Sequence, residues 1–135
     1  MEINNTFDPI DIAISGLHAQ GKNIHMISSN VANAQVTDNG KGEPYRRVEA
    51  VFKSTEDDGL GGVTIDKIVT DSSEFPMILK PGHPDADANG YVAMPNIDLP
   101  IEMMNLTIAT RVYQANVAVL KRYQKMIEVA LELLK

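Results

Sequence analysis

In the segment PDADANGY at 84 to 91, Asp85, Asp87, Asn89 and Gly90 stand at the spacing that opens an EF-hand calcium loop, where alternate side-chain oxygens converge on the cation. The pattern breaks at its far end. The twelfth position, which should supply a bidentate Glu, is Asn96, preceded by Pro95, and no helical sequence leads into the loop. Asp and Asn side chains that bond their own backbone, with a glycine at positive φ, account for the same residues as a tight turn, and a calcium-binding module ranks below that turn. The histidines, His18, His25 and His83, form no pair that suggests catalysis or a metal. Ser28 and Ser29 have no base nearby, and no nucleophile elbow, phosphate-cradling glycine loop or His-Glu-x-x-His pattern occurs. The expectation is a protein without enzymatic activity, cofactor or metal.

A different polar chemistry is written into SSNVANAQVTDNGKGEPYRR at 28 to 47. Asn30, Asn33 and Gln35 fall where a helix-patterned stretch ends, and Asn33 can take the left-handed conformation that stops a helix. Carboxamides donate and accept at once, so they can bond backbone groups of an adjacent subunit, while Arg46 and Arg47 can hold carboxylates bidentately. The segment reads as a joint and, at the same time, an assembly surface.

Two long helices must position these groups. Asp8 can cap the first, with Pro9 in the opening turn and Phe7 and Ile12 as a hydrophobic staple. Phe7, Ile10, Ile14, Leu17, Gly21, Ile24, Ser28 and Val31 then sit alternately three and four apart, a heptad seam whose small residues invite a close neighbour. The second helix starts near Asp98, with Pro100 in its first turn, and runs without Gly or Pro to Lys135, about 50 Å. That exceeds the diameter of a compact globule of this length, somewhat under ~40 Å, so the molecule should be elongated.

This helix carries two apolar stripes. Ile101, Met104, Ile108, Val112, Ala115, Val119, Tyr123, Met126, Ala130 and Leu134 make the first; Met103, Leu106, Tyr113, Val117, Leu120, Ile127 and Leu131 make the second. Burying seven such side chains is worth on the order of 10 to 20 kcal/mol, comparable to the whole stability of a domain. One partner helix cannot cover both, so copies of the chain itself or related chains are the expected cover.

Between the helices the pattern shortens to the β-rich runs RRVEAVF, GVTIDKIV, PMILK and GYVAM, with EDDGLGG at 56 to 62 as a surface loop. The expected fold is α+β. Long N- and C-terminal helices, residues 1–35 and 98–135, pack as an antiparallel coiled coil, and residues 36–97 supply the joint and a small β-rich lobe. With 135 residues, a net charge of −6 and no basic stripe of the nucleic-acid kind, one domain and no nucleic-acid partner are expected. No cysteine is present for a disulfide or thiolate site. No window is apolar enough for a membrane span, and MEINNTFDPID lacks the core of a cleavable signal peptide.

Residues 15 to 47, SGLHAQGKNIHMISSNVANAQVTDNGKGEPYRR, resemble the N-terminal signature of bacterial flagellar rod and hook proteins, whose hallmark is a Ser-Asn-x-Ala-Asn-Ala segment after the first helix. GHPDADANGYVAMPNIDLPIEMMNL at 82 to 106 resembles the segment of proximal-rod members, and ATRVYQANVAVL at 109 to 120 the family's C-terminal helix. The resemblance implies a non-enzymatic subunit of the periplasmic basal-body rod. That rod is a tubular axle that transmits torque and surrounds the export channel. Its implied partners are copies of itself, other rod proteins and the flagellar type III export apparatus, which would account for a missing cleavable signal. By the same resemblance Asn30, Asn33, Tyr45, Arg46, Arg47 and Asn116 sit in the matching motifs as contact residues within or between subunits. The second stripe supplies the remaining subunit-contact candidates. The alternative from another class is a soluble helical adaptor or export chaperone, cytosolic and closed into a small oligomer.

Overall fold

The computed structural model describes residues 9–55 and 61–134. Helix α1 spans Pro9–Ala32; strands β1 (Val48–Ser54), β2 (Val63–Thr70), β3 (Met77–Leu79) and β4 (Tyr91–Ala93) follow; helix α2, Leu99–Glu132, closes the chain. The architecture is α+β, two long terminal helices around a small antiparallel strand insert. The expected cap Asp8, the staple residue Phe7 and the acidic part of EDDGLGG lie outside the described residues.

Helix α2 begins as its sequence dictates: Asp98 is extended and its carboxylate accepts the Ile101 amide at 3.2 Å, with Pro100 in the first turn. The end of α1 departs from expectation. No described non-glycine residue has positive φ, so Asn33 is not a left-handed cap. Its side-chain amide instead donates to the Ser29 carbonyl at 2.8 Å, which also accepts the Asn33 backbone amide at 3.0 Å, so the helix end is held without a change of backbone hand.

The helices run antiparallel, with Asn30 opposite Glu102 and Gly16 opposite Asn116. The face that α1 turns to α2 is Ala13, Gly16, Ile27 and Asn30; the facing surface of α2 is Glu102, Ala109 and Asn116. This corrects the seam expected from hydrophobicity. Ile10, Ile14, Leu17 and Ile24 lie about 80° to 160° round α1 from Gly16, as 3.6 residues per turn requires, and Ile14 is 38% exposed. Small side chains let the two backbones approach, and the larger apolar residues are left flanking the contact.

Strands β1 and β2 form a hairpin with a bulge at Val51/Phe52, and β3 and β4 a separate ribbon of three pairs. The β-rich lobe is thus not one sheet but two two-stranded ribbons. Proline explains the break, because Pro76, Pro81 and Pro95 bracket β3 and follow β4, and none can donate to a ladder. The hairpin seats on α1 where the Ser15 hydroxyl accepts the Val63 amide at 3.0 Å and donates to the Ile12 carbonyl at 2.7 Å. A side chain on buried Gly62 would collide with Ser15.

Candidate assembly interface

At the α1 C-terminus the joint closes round one carboxamide. Asn30 is fully buried and all its hydrogen-bonding capacity is used. Its amide donates to the Val48 carbonyl (2.8 Å) and to Glu102 Oε2 (3.2 Å), while its carbonyl accepts the Val48 amide (3.0 Å) and the Tyr45 hydroxyl (3.2 Å). With the tyrosine proton committed to Asn30, the Ser29 hydroxyl, 3.2 Å away, is the donor to Tyr45. The side chain therefore stands beside the first residue of β1 as a neighbouring strand would, binding its N–H and C=O together.

Glu102 completes the joint. It is 1% exposed, and Arg47 Nε meets its Oε1 at 2.6 Å, while Arg47 also reaches Glu49 at 2.8 Å. Burial works against charge on the guanidinium, but hydrogen bonds and charge from Glu49 and Glu102 outweigh it and hold Arg47 above its ordinary pKa. A second clasp holds the loop after β2. Arg46 lies 4.2 Å over the Phe75 ring and donates to the Asp71 and Ser73 carbonyls. Hydrogen bonds from the Ser73 hydroxyl and amide hold the Asp71 carboxyl below its ordinary pKa.

Asn30, Tyr45 and Arg47, together with Asn33 at the same helix end, thus meet within one chain. Arg46 serves the adjoining loop, and Asn116 lies against Gly16, at the far end of the helix contact. Glu102 is the residue the sequence reading missed. Its only signal is register: it stands seven and fourteen residues before Ala109 and Asn116, between the two apolar stripes.

The stripes themselves divide between two sides of the helix pair. Ile108 and Val112 of the first stripe border a cleft with Phe52 and Ala50 of the hairpin. On the opposite side the second stripe joins the apolar residues of α1, where the Tyr113 ring approaches Gly21. There α1 half-covers Leu106, Val117 and Leu120, and leaves Met103, Tyr113, Ile127 and Leu131 exposed, Leu131 by 58%. Every described side chain from Gln124 onward is exposed.

The PDADANGY segment is a turn. Asp87 Oδ1 accepts the Asn89 and Tyr91 amides, both at 2.9 Å, Gly90 has φ +83°, and Asp85 accepts the Thr37 hydroxyl at 2.7 Å. Among the described residues no group of three or more His, Asp or Glu is placed to hold a metal, and no helix is long and apolar enough to cross a membrane.

Comparison with known proteins bears on this surface. Residues 10–39 match the family model described as "Flagella basal body rod protein", and residues 88–133 that described as "Flagellar basal body rod FlgEFG protein C-terminal". Among relatives named flagellar basal-body rod protein FlgC, that of Salmonella typhimurium is 41% identical, the alignment covering 93% of each chain. That of Yersinia enterocolitica is 43% identical over 89% of each, and that of Bacillus subtilis 35% identical over 94% of this chain and 97% of its own.

Proposed function

The chain belongs to the family of flagellar basal-body rod proteins FlgC, and from that membership we propose that it is a structural subunit of the rod, built in through the two apolar sides of its helix pair. Neighbours are other copies and other rod components. In this reading the packed helices form a tubular axle in the periplasm that carries torque and encloses the export path. The subunit reaches it through the flagellar type III apparatus.

The observation that carries the reading is the amount of apolar surface left wet along α2, from Ile101 and Met104 at one end to Leu131 at the other. A monomer has no use for such stripes, whereas each side chain buried against a neighbour contributes about 1.5 to 3 kcal/mol. Met103, Tyr113, Ile127 and Leu131 are the neighbour contacts of the second stripe, with Leu106, Val117 and Leu120 shared between α1 and the neighbour. Asn116 and the joint residues fix the shape that presents them. No observation favours an adaptor or chaperone.

Leu131→Asp tests the reading, since it charges an exposed position that makes no contribution to the intrachain seam. The expected result is normal synthesis and helix content, absence of the variant from purified basal bodies, and loss of motility. Wild-type incorporation of Leu131→Asp would refute assembly through this stripe.

A further inference from the structure

Charge is unevenly spread along the chain. Of its 12 basic and 18 acidic residues, four basic and no acidic ones fall between Met103 and Ile127. Those four, Arg111, Lys121, Arg122 and Lys125, recur near helical spacing with Gln114 and Ala118 between them, on the side of α2 turned away from α1, and all are exposed. The ridge is about 20 Å long at 1.5 Å per residue. It runs between the two apolar stripes, so it is continuous with the surface assigned above to subunit packing.

Lys125 is engaged by Glu128 at 3.3 Å, but among the described residues Arg111, Lys121 and Arg122 have no ion-pair partner. Carboxylates of the same chain collect elsewhere. Asp38, Glu43 and Asp85 lie in the two turns beside the α1 C-terminus, Glu43 3.7 Å from Arg46 of the same chain; this end lies level with the beginning of α2, far along the helix pair from Lys121. Backbone amides of Gly42 and Gly40 hold the Asp38 carboxyl below its ordinary pKa, so it stays charged.

We propose that the cationic ridge of α2 is a docking surface for a second copy of this chain, receiving the carboxylates of that copy's double turn so that subunits associate head to tail. Charge complementarity argues for the occupant. A chain of net charge −6 repels its own copies unless opposite patches meet, and this ridge is a stretch of α2 where cations stand without carboxylates. Apolar stripes on both flanks exclude water from the contact, and the charges select which end of a neighbour lies there. A heterologous contact of this kind does not close on itself, which suits a subunit added along an axis. The docking rests on the rod-subunit reading.

The test compares three forms of the full chain in cells lacking the native copy: wild type, Arg111→Glu/Lys121→Glu/Arg122→Glu, and that triple variant with Glu43→Lys and Asp85→Lys added. Far-UV circular dichroism of each purified form checks folding. Incorporation into purified basal bodies should fall at least tenfold in the triple variant and recover at least half of the wild-type level in the fivefold variant. Because the chain has no cysteine, Lys121→Cys with Asp85→Cys gives an independent readout, and oxidation should yield disulfide-linked multimers. Normal incorporation of the triple variant, or loss without recovery together with no cross-linked species, overturns the proposal. Absence of the wild type itself from basal bodies would instead remove the rod reading.

Discussion

At the scale of single residues the joint concentrates its energy in a few buried polar atoms. Removing one partner of a buried ion pair costs more than the pair contributes, because the survivor is left desolvated. Arg47→Met should therefore destabilise the chain by about 3 kcal/mol, and Arg47→Met/Glu102→Leu should recover only part of the loss in urea unfolding, because the buried Asn30 amide then loses its acceptor on Glu102. Asn30→Leu strips both backbone groups of Val48 of their partner and should cost about 2 kcal/mol or more. The Asp71 clasp gives a pH dependence of known sign. Its folded pKa is depressed, so its contribution is present above the unfolded value of about 3.9 and disappears as pH falls through the folded one. The Ser73 amide resonance should accordingly titrate with a midpoint below the unfolded value of about 3.9. Asn30, Tyr45 and Arg47 stood out in the sequence because amides, tyrosine and arginine cluster at a helix end. Glu102 did not, because an acid in the first turn of a helix is ordinary at the positive helix end and its burial is visible only once α1 lies across it.

At the scale of elements, caps and spacing were legible and the packing seam was not. Asp98 and Pro100 announce α2, and the alternating β-branched runs announce β1 and β2, since these signals are local. The contact between the helices depends on Ala13, Gly16, Ala109 and Asn116, which carry almost no hydrophobic signal; their importance lies in the side chain they lack or can fold aside. A Cβ on Gly16 would come 2.6 Å from Asn116 Nδ2. Gly16→Val should thus force Asn116 out and cost about 1 to 3 kcal/mol as overpacking, with part of the loss restored by Asn116→Ala. Thermal unfolding of the single and double variants measures both. The proline-bounded ribbons show the same limit from the other side, since the run lengths were readable but not which runs would pair.

At the scale of the whole molecule, α2 outruns the described part of α1. By the register of Asn30 with Glu102 and Gly16 with Asn116, Pro9 lies level with Tyr123, and the exposed turns beyond carry Met126, Ile127, Val129 and Leu131. Local stability follows local contact, so amides from Gln124 to Glu132 should exchange with solvent at least tenfold faster than those near Ala109 in the free subunit, and slow on assembly. Hydrogen exchange followed by mass spectrometry, before and after incorporation, reads this directly. The opposite end behaves otherwise, because Asn30 and Glu102 fasten α1, α2 and β1 at one level. A twisting load delivered to the β1–β2 hairpin therefore enters both helices together, through a rivet and not a hinge. Hairpin and helix pair are thereby tied into one unit, which leaves the boundaries between neighbouring subunits as the place where a shaft built from them can bend or slip.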